Sequence, residues 1–80
     1  MEAPMGSLFP IRLACAAGHE AAFATACENC IQEATGVVMR IPREKIRPLM
    51  ELLRKDELEL AEELGRMAGE EASRRARQST

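Results

Sequence analysis

The sequence predicts an α+β fold: a small N-terminal module with short strands, then a long C-terminal amphipathic helix. An all-α helical hairpin is the alternative. Three observations lead there. All three Cys and the only His crowd into residues 15–30. An apolar, β-branched run from Val37 to Ile41 stands between Gly36 and Pro42. Beyond it, apolar residues recur at steps of three and four, the period of one helix face.

Size sets the frame. Eighty residues make one small domain, and such a chain buries only roughly 60% of its unfolded surface. Aromatic residues are 2% of the chain, two Phe with no Tyr or Trp. The core must therefore rest on Leu, Ile, Val, Met and Ala. The net charge is −2, which excludes a generally basic nucleic-acid binder but leaves room for a local patch. No apolar run approaches the ~18 residues that a bilayer span needs, so no membrane partner is expected. Residues 1–10 lack the basic start and apolar centre of a signal peptide. A cytoplasmic location with reduced thiols is the expectation.

The cysteines and the histidine read Cys15-x3-His19-x7-Cys27-x2-Cys30. Three thiols cannot all pair as disulfides. Three thiolates and one imidazole do form a tetrahedral ligand set for structural Zn²⁺. Cys15, His19, Cys27 and Cys30 are thus the candidate metal site, with one zinc per chain. Gly18, just before His19, can supply the unusual backbone angle of a knuckle. Metal would also relieve the small core, because its binding free energy becomes folding free energy. The same residues support the helical alternative. Cys15, His19, Phe23, Cys27 and Cys30 follow steps of four and three, which on one helix form a stripe of core positions. On one straight helix Cys15 and Cys30 would lie roughly 22 Å apart, too far to share an ion.

The elements follow in order. Residues 1–7 read as a loose start, with Pro4 and Gly6. Leu8 to Leu13 holds a short alternating run that suits a strand entering the knuckle. Cys27 to Thr35 is helix-compatible, and Gly36 is a natural stop. Val37 to Ile41 is the best strand of the chain. Residues 1–41 therefore form the predicted zinc module, and 42–80 the amphipathic helix. Pro48 is tolerated only in a first turn, which starts the main helix near Arg47. Ile46, Met50, Leu53, Leu60, Leu64 and Met67 form its apolar stripe, with Glu57 in the gap. Asp56 with Glu59 could cap a second helix. Continuity to about Ala76 is preferred, because no Gly or Pro interrupts Leu49 to Leu64. Residues 74–80 read as a polar, frayed tail.

Charge is segregated along this half. Residues 40–55 carry six bases (Arg40, Arg43, Lys45, Arg47, Arg54, Lys55) and two acids, net +4. Residues 56–71 carry seven acids and Arg66, net −6. Successive blocks of opposite sign favour antiparallel packing of one chain on another, or a solvated face. The acids near the helix start and Arg74, Arg75 and Arg77 near its end also suit the helix dipole.

Around Leu13-Ala14-Cys15-Ala16-Ala17-Gly18-His19-Glu20, followed by Phe23 and Cys27-Glu28-Asn29-Cys30, the chain resembles small bacterial zinc-ribbon proteins, including the FmdB-type regulatory family. The similarity covers about residues 11–41. It implies that Cys15, Cys27 and Cys30 are ligands, with His19 the candidate fourth. Two features depart from the ribbon pattern. Only seven residues separate His19 from Cys27, and Cys27–Cys30 leads into helix-like sequence, as in a treble-clef knuckle.

The main functional expectation is a small zinc-stabilised interaction or regulatory module. Its helix would dimerise, or dock on a protein partner, through the apolar stripe. One alternative is a nucleic-acid-binding transcriptional regulator that uses residues 40–55. Another is a thiol-based metal or redox sensor. An enzyme is not expected, since a closed ligand set leaves no open metal position and no phosphate loop or triad is present.

Overall fold

In a computed structural model, residues 8–78 are described. The described chain is all-α, with helices α1 (Phe9–Ala17), α2 (Glu20–Thr35), α3 (Arg43–Lys55) and α4 (Glu57–Gln78). No strand occurs among the described residues. The α+β expectation with a zinc knuckle is therefore corrected to the all-α alternative. The predicted loose start at residues 1–7 lies outside the described residues.

The first correction concerns the segment read as a strand from Leu8 to Leu13. Pro10 falls in the first turn of α1, where its fixed φ is pre-organised and its missing N–H costs nothing. The Arg12 amide donates to the Leu8 carbonyl at 2.8 Å and closes that turn. The helix ends at Gly18, whose φ of 72° is left-handed. The Gly18 and His19 amides donate to the Cys15 and Ala14 carbonyls, each at 3.1 Å, the paired closure of a Schellman motif. Gly18 thus turns the chain between two helices, and the predicted metal knuckle is a helical hairpin. Helix α2 runs from there to Gly36, the predicted stop, at φ 79°.

The second correction is Val37 to Ile41. These residues have strand propensity but no strand beside them, and propensity alone does not make a ladder. Side chains satisfy the backbone instead. The Val37 amide donates to Thr35 Oγ1 at 3.1 Å, and the Ile41 amide to Glu28 Oε2 at 2.8 Å. Arg75 donates to the Val38 carbonyl. Residues 36–42 form an irregular strap, pinned by Ile41, which is buried.

The third correction lies in the C-terminal half. Helix α3 begins at Arg43, so Pro48 sits inside it. Proline there frees the carbonyl four residues earlier, which belongs to the exposed Glu44 and can be hydrated. One continuous helix was expected, but the chain breaks at Asp56, extended at φ −162° and ψ 115°. Asp56 Oδ1 accepts from the Leu58 amide at 2.9 Å, a side-chain cap that starts α4. The predicted frayed tail is helical as far as Gln78.

The described molecule measures 42 × 34 × 19 Å, a slab about two helix diameters thick. Helix α2 packs against the other three. Phe23 and Cys27 of α2, Ile11 of α1 and Leu60 of α4 are its most deeply buried side chains. Ile46, Leu49 and Met50 of α3 and Leu64 and Met67 of α4 complete one apolar core. No helix of the described chain is long and apolar enough to cross a membrane.

Candidate functional site

The fold does not assemble the predicted metal ligands into one site. Cys15 and Cys27 are buried core members, Cys30 is half-buried, and His19 is exposed at the hairpin turn. The Cys15 thiol points at the Met50 carbonyl of α3, at 3.6 Å. Among the described residues, no group of three or more His, Cys, Asp or Glu could hold a metal ion. Burial pushes the Cys27 thiol up to about 12, aided by charge on Cys30, Glu28 and Cys15. Burial, then the charge of Glu33, also raises Cys30. In this arrangement the four residues do not fit a zinc ion.

The apolar stripe is likewise used within the chain. Ile46, Met50, Leu60, Leu64 and Met67 are buried, and Leu53 packs against them from a partly buried position. The side chains expected to meet a partner instead cover α1 and α2. Of the large apolar residues, Phe9, Leu13, Val38 and Leu58 remain exposed.

The basic segment does not form one surface. At 3.6 residues per turn, Arg43, Arg47 and Arg54 fall within about 40° of arc on α3. Arg47 on this flank binds Glu20 of α2, Nε to Oε2 at 2.7 Å, and that hydrogen bond holds its guanidinium more firmly protonated. Lys45 lies on the opposite flank, toward α4, and Lys55 on neither.

On the α4 side the chain builds an open groove of about 840 Å³. One wall is the strap and the start of α3, with Arg40, Pro42 and Lys45. The other is the second half of α4, with Arg66, Glu70, Ser73, Arg74 and Arg77. Met39 and Met67 supply apolar surface. Five cations and two acids, Glu70 and Glu71, line it.

Some of these charges are balanced locally. Arg66 bridges Glu63 and Glu70, three and four residues away. Its hydrogen bond to Glu63, then the charges of both acids, raise its proton affinity. Glu71, with its side chain only 14% exposed, holds Arg74 and Arg75. The cost of sheltering that carboxylate is offset by two guanidinium partners. Glu71 thereby stations Arg74 at the groove, while Arg75 reaches back to the strap.

Arg40 and Lys45 are among the basic residues that the sequence singles out, whereas Arg66, Arg74 and Arg77 become their neighbours only in the fold. The spacing 66, 70, 73, 74, 77 is one helix face and was legible. Its meeting with residues 39–45 was not, because it depends on the break at Asp56. A second depression, of about 450 Å³, lies between α1 and α2 and is lined by Pro10, alanines, Thr25 and Asn29. It holds no ionisable group. In comparisons with protein-family models, curated proteins and solved structures, nothing matches the chain.

Proposed function

We propose that this chain is a protein-interaction module that takes an acidic, partly apolar helical segment into the groove beside α4. The observation that carries the reading is the lining: five cations to two acids, over Met39, Pro42 and Met67. Guanidinium and ammonium groups bind carboxylates by charge-assisted hydrogen bonds. Methionine side chains adapt to varied apolar partners. The module works by binding rather than by chemistry. A reduced, cytoplasmic setting suits its three free thiols.

Nucleic acid is the weaker occupant. The chain is net negative, and its exposed aromatic, Phe9, does not line the groove. Its basic residues also divide between the two flanks of α3. The test is fluorescence anisotropy with a labelled helical peptide bearing Glu and Leu on one face, run beside a labelled DNA duplex. The peptide should bind, more weakly at high salt. Its affinity should fall about tenfold when Arg40→Glu and Lys45→Glu are combined. Tighter binding of the duplex, or an unchanged affinity in that variant, would reject the reading.

A further inference from the structure

We propose that Glu71 is the positioning residue of the groove: it sets both walls, so that an acidic segment binds more tightly with this carboxylate present than without it. This rests on the groove reading above and names the residue that tunes it. The spacing along α4 singles Glu71 out. Leu60, Leu64 and Met67 are buried, and the next step of four along that row falls on Glu71. An apolar side chain there would continue the core. A carboxylate stands there instead, with its side chain 14% exposed, where a charge is costly to shelter unless it is paired.

Its partners reach both walls. Glu71 accepts from Arg74, three residues on, and from Arg75 Nε, four residues on, at 2.7 Å. Arg74 lines the α4 wall beside Met67 and Glu70. The Arg75 guanidinium also donates through Nη2 to the Val38 carbonyl, next to Met39 and Arg40 of the opposite wall. One carboxylate thus fixes an arginine on one wall and, through a second arginine, ties down the backbone of the other. A planar guanidinium suits this double task, because its donors point in fixed directions. Glu71 is also one of the two acids in the lining, so the sign of its removal separates two effects. If net charge ruled, losing this acid would strengthen the attraction for an acidic segment. If position rules, losing it frees Arg74 and loosens the strap, and binding weakens.

Fluorescence anisotropy of the full chain with the Glu–Leu peptide reads that sign. Glu71→Gln should bind about fivefold more weakly than the wild type, although it carries one negative charge fewer. Glu70→Gln removes the other lining acid, which pairs with Arg66, and should move the other way, toward tighter binding. Arg75→Lys keeps the charge but not the planar fork, and should weaken binding as Glu71→Gln does. In both weakened variants the backbone amide resonances of residues 37–41 should shift by NMR, although the substitutions lie on α4. Unchanged circular dichroism separates displaced walls from lost folding. Should Glu71→Gln lose its helical signal, Arg75→Lys decides alone, and unchanged affinity there would overturn the inference. Equal or tighter binding by a folded Glu71→Gln chain would also overturn it, as would equal weakening by Glu70→Gln, and each would leave the groove reading intact. A wild-type chain that does not bind the peptide would overturn both.

Discussion

Glu28 of α2 accepts a hydrogen bond from the backbone amide of Ile41, at 2.8 Å. This bond and the one from Arg75 to the Val38 carbonyl attach the strap to α2 and α4. They do for residues 36–42 what a neighbouring strand would do in a sheet, and they hold Arg40 at the groove. Removing the acceptor leaves a partly buried amide without its partner, which costs about 1–3 kcal/mol. Glu28→Ala should lose stability in that range in chemical denaturation, and the Ile41 amide should exchange faster by NMR. Glu28→Gln keeps an acceptor and should lose less. Equal losses in both variants would mean that the amide bond is not what Glu28 contributes.

The boundaries set by backbone chemistry were legible in the sequence. Gly36 stops α2, as its left-handed φ requires, and the spacing of Ile46, Met50, Leu60, Leu64 and Met67 marks buried positions. What was not legible is pairing at a distance. Val37 to Ile41 has the composition of a strand, and it is a strap because no strand lies beside it among the described residues. Cys15 and Cys27 have the composition of ligands, and only the hairpin at Gly18 makes them core. The groove joins residues 39–45 to residues 66–77, a meeting that local spacing cannot express.

Asp56 decides whether α3 and α4 are one helix or two. Its carboxylate caps the Leu58 amide, while its own amide donates to the Leu52 carbonyl at 2.8 Å and closes α3. Losing such a cap costs about 0.5–2 kcal/mol. Asp56→Ala should show that loss in urea denaturation, and Asp56→Ser, which keeps a capping oxygen, should show less. An Asp56→Ala chain as stable as the wild type would imply that a continuous helix is nearly as favourable.

The packing of the thiols into the core makes a prediction about metal. A ligand that binds only the native state stabilises it by mass action. With Cys15 turned to Met50 and His19 exposed, equimolar zinc should leave the thermal midpoint unchanged, and a chelator should leave the helical signal intact. A midpoint raised by zinc would mean that the α1–α2 hairpin rearranges to gather its thiols.

The buried Cys27 thiol links stability to alkaline pH. An unfolded cysteine ionises near ~8.5, while in the fold burial, then the charges of Cys30, Glu28 and Cys15, raise Cys27 to about 12. Between these values the unfolded chain has released a proton that the folded chain still holds. Stability is therefore complete below the unfolded value and declines as pH rises toward the folded one, by up to ~1.4 kcal/mol per pH unit. The chain has no Tyr and only two Lys, so few other groups titrate in this window, although Cys30 shifts in the same direction. Thermal denaturation from neutral to strongly alkaline pH should show a falling midpoint. Cys27→Ala should start lower, from the lost packing, but decline less steeply. Native alkylation with iodoacetamide should spare Cys27 at mildly alkaline pH and modify it once the chain is unfolded. If Cys27→Ala declines as steeply as the wild type, the alkaline loss has another source, and rapid native alkylation of Cys27 would place its thiol outside the core.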